Sequence, residues 1–329
     1  MDTIINILEA MARELIAPQT AAVVIAVIGL NLHFGFTGLL NMGQAGFMAL
    51  GAYGFSISIW KGLPLPLAIV IGLAAALVFA LILGIPTLKL RGDYLAIVTI
   101  AAAEIVRIVG RSTALTDVTG ASSGLRGDSY KQTFHALSPF GDGTTSIGPF
   151  TYSNSFSNSW WLRVVAWVVV ALACLLVWRL MRSPWGRVLK GIREDEDAVR
   201  SLGKNVYAYK MQALILGGVI GSIAGILYVL PRAVQPDSMG RPMTFWVWTI
   251  LLLGGAATVF GPVLGAMLFW SVLMLIRVVG REVIPSSIMS TAQIEQFGWI
   301  VVGVTLMLLV IFRPQGILGD KKELAINVR

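Results

Sequence analysis

The sequence predicts an all-α, polytopic integral membrane protein with about nine transmembrane helices or re-entrant segments, some of them broken by glycine or proline. Hydrophobic residues make up 56% of the 329 residues, only 13% are charged, and the mean hydropathy is +0.79. A soluble fold has no interior large enough for so much apolar surface. We therefore expect a single transmembrane domain over residues 1–329.

Candidate spans follow one another along the whole chain. A helix needs about 20 apolar residues to cross a hydrocarbon core about 30 Å thick. Open strand edges are not satisfied in lipid, so each span is predicted to be a helix. The apolar runs that approach this length lie at 17–38, 44–60, 65–84, 93–110, 161–180, 209–230, 244–259, 262–279 and 296–312.

The first unusual span is GLNLHFGFTGLLNMGQAGFMALGAYG, residues 29–54, where polar side chains, His33 among them, alternate with glycines. Glycine lowers helix stability and polar groups are costly at membrane depth, so this combination predicts a broken helix beside protein or a water-filled path. Tight helix packing remains the alternative for the glycines. The candidates for a solute pathway are Asn31, Thr37, Asn41 and Gln44, and the candidate breaks are Gly43 and Gly46.

A second broken span is LLLGGAATVFGPVLGAML, residues 251–268. The candidate breaks there are Gly254, Gly255, Gly261 and Pro262. A Gly/Pro break in each half of a chain is typical of duplicated transporter folds whose halves meet near the middle of the membrane. The two breaks differ too much in sequence to indicate an internal repeat.

The third unusual span, RGDYLAIVTIAAAEIVRIVGR at residues 91–111, carries ionisable residues on an otherwise apolar helix. Glu104 and Arg107 are three residues apart, which places them as neighbours on one helix face. An acid within a span is a functional candidate by default, so Glu104 joins Thr99 among the pathway candidates. A structural ion pair near the outer boundary, with Arg107 reaching toward water, is the alternative.

Basic residues set the expected orientation, because short cytoplasmic loops carry an excess of lysine and arginine. They concentrate around segment 181–208 and recur near Lys89 and Arg91 and in the C-terminal tail at Arg313, Lys321, Lys322 and Arg329. Segment 181–208 and the C-terminus are thus predicted to be cytoplasmic, and the N-terminus and the 111–160 loop to lie outside. Basic residues in or beside that loop oppose this topology, although long loops follow the charge rule weakly.

Within the cytoplasmic segment, GIREDEDAVRSLGKN places seven charged residues in fifteen at 191–205. From Pro184, an apolar stripe at Trp185, Val188, Leu189 and Ile192 predicts a helix. Continuing that helix would bring Glu196 onto the apolar face, so we expect a bend at 194–197 and a second short helix that ends near Gly203. Acids next to bases beside an apolar stripe favour a cytoplasmic protein partner over an anionic membrane surface.

Other function classes find no support in the residues. The net charge of +8 lies in loops beside the spans, which indicates membrane orientation and not nucleic-acid binding. One cysteine and two distant histidines form no zinc motif, and no cofactor or metal site is predicted. No nucleophile, base and orienting group can be grouped, so an enzyme is not predicted. The chain has no Gly-x4-Gly-Lys-Ser/Thr phosphate loop, so if ATP drives transport, another subunit would hydrolyse it.

The segment SPWGRVLKGIREDEDAVRSLGKNVYAYK resembles the cytoplasmic coupling loop of LivM-type permeases of branched-chain amino acid ABC importers, the hydrophobic amino acid uptake family. NLHFGFTGLLNMGQAGFMALGAYG, LRGDYLAIVTIAAAEIVR, LLLGGAATVFGPVLGA and FRPQGILG resemble segments of the same family in the same order. The resemblance extends from about Gly29 to Gly319. It implies a transport subunit of a bacterial inner membrane that works with a LivH-type second permease, two ABC ATPase subunits and an external substrate-binding protein. It also implies that the ATPase-coupling residues are Arg193, Glu194, Asp195, Glu196, Ala198, Leu202 and Gly203.

Two alternatives remain open at this stage. Related permeases also serve urea and short amides, and no residue of the sequence selects among these solutes. A self-contained channel or ion-coupled carrier would require several intramembrane acids or a cation site, whereas Glu104 is the one clear acidic candidate.

Overall fold

The computed structural model describes residues 2–89, 92–141, 143–148, 150–154, 159–284, 289–313 and 315–319. The predicted orientation used Arg91 and three tail residues, Lys321, Lys322 and Arg329, and these four lie outside the described residues. The helices are α1 Asp2–Leu15, α2 Pro18–Asn31, α3 Gln44–Trp60, α4 Leu65–Thr87, α5 Gly92–Arg111, α6 Thr116–Thr119, α7 Asp128–His135, α8 Trp160–Arg182, α9 Pro184–Glu194, α10 Glu196–Ser201, α11 Val206–Val229, α12 Arg241–Gly254, α13 Gly261–Val283 and α14 Thr291–Phe312. Two short strands, β1 Thr144–Ile147 and β2 Phe150–Ser153, pair as an antiparallel hairpin.

Every candidate span falls on a helix, since the apolar runs coincide with α2 to α5, α8 and α11 to α14. Within the described residues, five helical segments are long and apolar enough to cross a membrane. They are Pro18–Phe36, Leu65–Thr87, Trp160–Arg182, Val206–Val229 and Gly261–Glu282. The all-α prediction therefore holds apart from the small hairpin, whereas the expected count of about nine crossings is not confirmed.

The core of the bundle forms where α11 packs against α2, α3 and α4. Residues 21–27 of α2 are completely buried. Glycines allow this packing, because a Cβ on Gly225 would lie 1.9 Å from the carbonyl oxygen of Met48 and one on Gly217 would lie 2.5 Å from that of Gly29. Backbones that approach this closely leave no room for a side chain.

Two long segments connect the apolar helices, one over residues 111–160 and one over residues 181–208. They lie at opposite ends of α11. α9 and α10 pack near its first residues, whereas Tyr130 of the other segment donates a hydrogen bond of 2.6 Å to the carbonyl oxygen of Arg232, just beyond its last turn. Leu125 also forms a β-bridge with Val234. Since α11 has 24 residues, the two segments are about 36 Å apart along its axis.

The segment predicted as an outer loop over 111–160 contains more structure than its Gly/Ser/Thr-rich sequence suggests. It includes α6, α7 and the hairpin of β1 and β2. Its glycines serve turns between these elements: Gly120 and Gly124 have φ of 74° and 72°, in the left-handed region.

Candidate functional site

The first broken helix lies between α2 and α3. After Asn31 a π-helical turn, Leu32–Phe36, follows, and the chain then leaves helical conformation until α3 begins at Gln44. Gly43 is the N-cap residue of α3, and a Cβ there would lie 2.4 Å from the carbonyl oxygen of Thr99. Gly46 lies in the first turn of α3, where its missing side chain allows α5 to pack closely. Single π-helical turns frequently occur at functional sites.

Polar side chains of this break bind one another inside the subunit. The completely buried His33 ring places Nε2 3.0 Å from the carbonyl oxygen of Leu214 and Nδ1 2.9 Å from Nδ2 of Asn41. The carbonyl requires a proton on Nε2, so Nδ1 accepts from the Asn41 amide. Asn41 also donates to Gln44 Oε1 at 3.1 Å, and Gln44 donates to the carbonyl oxygen of Ala26 at 3.1 Å. The network joins α2, the break, α3 and α11.

The second broken helix lies between α12 and α13. α12 ends at Gly254, and Gly255 follows with φ of 111°. A Cβ on Gly254 would lie 1.9 Å from the carbonyl oxygen of Gly261, so the two helix ends meet in backbone contact. Pro262 occupies the first turn of α13, where a helix does not need its missing N–H. The glycines and proline of this span therefore stand at the interruption itself.

The two breaks touch each other through Asn31, which is 1% exposed. Its Oδ1 accepts a hydrogen bond of 2.9 Å from the backbone N–H of Ala257, and its Nδ2 donates one of 2.7 Å to the carbonyl oxygen of Thr258. Ala257 has φ of 63°, a left-handed conformation that is unfavourable for a residue with a side chain. Asn31 thus holds a strained turn of the second break against the first.

The remaining polar candidates also have partners within the subunit. Thr99 Oγ1 accepts from the backbone N–H of Met42 at 2.9 Å, which fixes the break against α5. Thr37 donates to the carbonyl oxygen of Leu32 at 2.8 Å. Asn31, Thr37, Asn41, Gln44 and Thr99 are all 2% exposed or less in the described state. Their side chains therefore hold the shape of the breaks and do not face solvent.

Glu104 belongs to a charge network at the end of α5 opposite the coupling segment. Its Oε1 lies 2.6 Å from Nη2 of Arg107, and its Oε2 lies 3.5 Å from Nε of Arg241 at the start of α12. Arg107 also pairs with Asp237 in the 3₁₀ turn before α12. The i,i+3 pairing inferred from sequence is present, and it extends to two further residues that connect α5 with α12.

The coupling segment forms two helices joined by a sharp bend. Ser183 caps α9 through its hydroxyl, and Leu189 and Ile192 are buried against the bundle. Asp195, in extended conformation, ends α9 and caps α10, because its Oδ1 accepts from the N–H groups of Asp197 and Ala198, each at 3.0 Å. The bend predicted at 194–197 is confirmed.

The charged side chains of this segment point in two directions. Those of Glu194 and Asp197 are 72% and 87% exposed, and Leu202 is a largely exposed apolar residue. Asp195, Ala198 and Gly203 also lie on the exposed side. By contrast, Glu196 is engaged by Lys210 of α11 and by Arg200, and Arg193 is only 10% exposed. The exposed members form a surface at one end of the bundle, which we call the coupling surface.

Comparisons with known proteins show the family to which the chain belongs. The family model described as the permease component of the branched-chain amino acid transport system matches residues 13–312. The chain belongs to this family. It is 34% identical over 318 residues to the high-affinity branched-chain amino acid transport system permease proteins LivM of Salmonella typhimurium and Escherichia coli, covering 92% of this chain and 69% of each relative. It is 25% identical over 336 residues to the probable LivM of Methanocaldococcus jannaschii, covering 90% of both chains.

One solved structure, PsaBC from Streptococcus pneumoniae in complex with Fab, is similar over 94% of this chain and 96% of that chain. The sequence identity is 16% and the TM-score 0.43. Family membership makes the chain an ABC-transporter permease component and a membrane protein.

Sequence reasoning about this permease missed several residues of the site. Thr244 of α12 accepts a hydrogen bond of 3.2 Å from the N–H of Ala45, and Trp248 donates one of 3.1 Å to the carbonyl oxygen of Asn41. Arg241 completes the charge network. A threonine and a tryptophan at i and i+4 near the start of an apolar helix are the signal that could have identified this face. Among the described residues, no group of three or more His, Cys, Asp or Glu could hold a metal ion.

Proposed function

We propose that this chain is one of the two membrane-spanning permease subunits of an ATP-driven importer and that it forms half of the pathway for branched-chain amino acids. The observation that carries this proposal is the coupling surface: a capped, bent pair of short helices presents acids and an exposed leucine outside the bundle. Such a surface, anchored by buried Leu189 and Ile192, suits a protein partner better than lipid.

The proposed partners follow from the family. They are a LivH-type second permease, two ABC ATPase subunits and an external substrate-binding protein. The ATPase contacts are assigned to the coupling surface, with Glu194, Asp195, Asp197, Ala198 and Leu202 outermost. Glu196 and Arg193 take internal roles, because Glu196 pairs with Lys210 and Arg193 turns inward.

The proposed location is the bacterial inner membrane, with α9 and α10 cytoplasmic, the N-terminus outside and the C-terminus inside. The hydrogen bonds of the tail support the last assignment. Ile317 and Leu318 donate from their N–H groups to the carbonyl oxygens of Leu253 and Gly254, each at 3.0 Å. These bonds place residues 317 and 318 beside the second break, at the end of α12 remote from Arg241.

The proposed pathway borders both breaks and ends outside at the Glu104 network. Asn31, Thr37, Asn41, Gln44 and Thr99 shape the backbone beside the solute, since their side chains are bonded internally. An ion-coupled carrier has less support, because Glu104 is paired with Arg107 and Arg241 and is not a free carboxylate.

The test is reconstitution of the complete transporter in liposomes with its binding protein and ATP. We expect ATP-dependent leucine uptake that is lost when the ATPase phosphate-loop lysine is replaced. Urea or a short amide, supplied with its own candidate binding protein, serves as the competing solute. Uptake of leucine by this chain without an ATPase would overturn the importer assignment, and uptake of urea alone would overturn the solute class.

A further inference from the structure

We propose that Arg193 is a positioning residue that carries the displacement of α9 to the junction of the two broken helices. This inference rests on the proposed function, because it assumes that an ATPase moves the coupling surface. It assigns Arg193 a role inside the permease, whereas its neighbours Glu194 and Asp195 face the partner.

The side chain of Arg193 is held both at its stem and at one nitrogen of its guanidinium. Its Nη1 donates a hydrogen bond of 2.6 Å to the carbonyl oxygen of Gly35, which belongs to the π-helical turn after α2. Its stem packs on Gly38, where an added Cβ would lie 3.2 Å from Cγ of Arg193. Gly38 has φ of 76°, a conformation suited to glycine. Both the turn and the close approach of the Arg193 stem therefore require glycine at this position.

Gly35 connects this contact to the second break. A Cβ on Gly35 would lie 2.0 Å from Oδ1 of Asn31 and 2.5 Å from the backbone nitrogen of Ala257. Asn31 in turn bonds the backbone of Ala257 and Thr258. An unbroken series of contacts thus runs from α9 through Arg193 and the π-helical turn to both breaks.

The chemistry of the contact suits a mechanical link. A guanidinium that donates to a carbonyl forms a directional, charge-assisted hydrogen bond, whereas apolar packing would allow the surfaces to slide. The rest of α9 is anchored elsewhere, for example by the bond of 2.7 Å from Trp185 to Gln212 of α11. Nη2 of Arg193 is buried without a hydrogen bond and lies 3.9 Å from Glu194 Oε1. Glu194 is an exposed acid of the coupling surface, so a partner that engages it acts directly beside the guanidinium.

A purely structural contact is the competing interpretation. It predicts that loss of the hydrogen bond lowers the yield of folded or assembled transporter, and that transport and ATP hydrolysis then fall together. A transmission role predicts instead that hydrolysis continues while fewer solute molecules move for each ATP. The ratio of leucine transported to ATP hydrolysed therefore separates the two.

The decisive variant is Arg193→Met, which keeps a long stem over Gly38 but removes the donors. In the reconstituted transporter we expect normal co-purification of the ATPase subunits, retained ATP hydrolysis and a fall in leucine transported per ATP of about tenfold, within the range of typical coupling between sites. Arg193→Lys, which keeps one charged donor, should recover part of the ratio. The control is Arg179→Gln, which removes an exposed guanidinium near the end of α8 that precedes α9. This variant should leave the ratio of leucine transported to ATP hydrolysed unchanged.

The outcomes are distinguishable. An unchanged ratio in Arg193→Met would refute transmission through Arg193, as would a parallel loss of hydrolysis, transport and ATPase assembly in both Arg193 variants. If the unaltered transporter moves no leucine, the proposed function fails, and that result does not depend on any Arg193 variant.

Discussion

Asn31→Leu tests the junction of the two breaks most directly, because it removes both polar atoms of the side chain and keeps the number and branching of its heavy atoms. Asn31 is 1% exposed and makes two long-range hydrogen bonds, from the N–H of Ala257 and to the carbonyl oxygen of Thr258. Leucine would leave the buried N–H of Ala257 and the half-buried carbonyl oxygen of Thr258 without these partners, and it would release a turn in which Ala257 has φ of 63°.

The expected loss of stability follows from the two backbone groups that lose their hydrogen bonds. A buried donor or acceptor left without a partner costs about 1–3 kcal/mol, so the free energy of unfolding should fall by about 2–6 kcal/mol. Thr37→Val is the matched control in the same break. It is also buried and nearly isosteric, but it removes one local bond, to the carbonyl oxygen of Leu32, and should cost about 1 kcal/mol.

The assay is denaturant unfolding of the purified chain in detergent micelles, followed by tryptophan fluorescence and circular dichroism. Both variants are compared with the unaltered chain in one detergent. If Asn31→Leu is no less stable than Thr37→Val, the junction does not stabilise the fold, and the argument that the two breaks are held together through Asn31 fails.

Two further predictions concern local structure. Asp195→Ala should destabilise α10 by about 1 kcal/mol and reduce co-purification of the ATPase subunits. Asp195→Asn retains the cap and therefore isolates the effect of the charge. Equal co-purification by the alanine variant and the unaltered chain would contradict a role for the capped bend. Gly225→Ala should sharply lower the yield of folded chain, because its Cβ would lie 1.9 Å from the carbonyl oxygen of Met48. Gly303 lies on α14, and a Cβ added there would have no atom within 4 Å. Gly303→Ala should therefore stabilise the fold by about 0.5–1 kcal/mol. Equal effects of the two alanine substitutions in thermal unfolding would refute the close packing at Gly225.

The helices and their interruptions were predictable because their signals are local. Apolar runs identify α2 to α5, α8 and α11 to α14, and glycines and proline identify both breaks. The bend after Glu194 followed from periodicity alone, since a continued helix would have placed Glu196 on the buried face. The structure replaces that continuation with Asp195 in extended conformation, which serves both helices.

The direction of each charged side chain was not predictable in the same way. The family resemblance grouped Arg193 with the acids that follow it, yet the guanidinium turns inward to Gly35 while Glu194 remains exposed. Glu196 likewise stood among the coupling candidates, but it pairs with Lys210 on α11. Which of two neighbouring residues faces a partner depends on what lies beneath the helix, and the sequence of the helix does not contain that information.

The sequence by itself determined the class of protein, the positions of its long apolar helices, the two breaks and the bend after Glu194. Only the tertiary structure decided how these features connect. His33 meets Leu214 across 181 residues, Asn31 meets Ala257 across 226, and Arg193 meets Gly35 across 158. The physical reason is that hydropathy and helix propensity act within a few residues, whereas a buried polar group bonds to whichever backbone the packing brings to it. In this permease the glycines that allow the backbones to touch therefore decide which polar residues become partners.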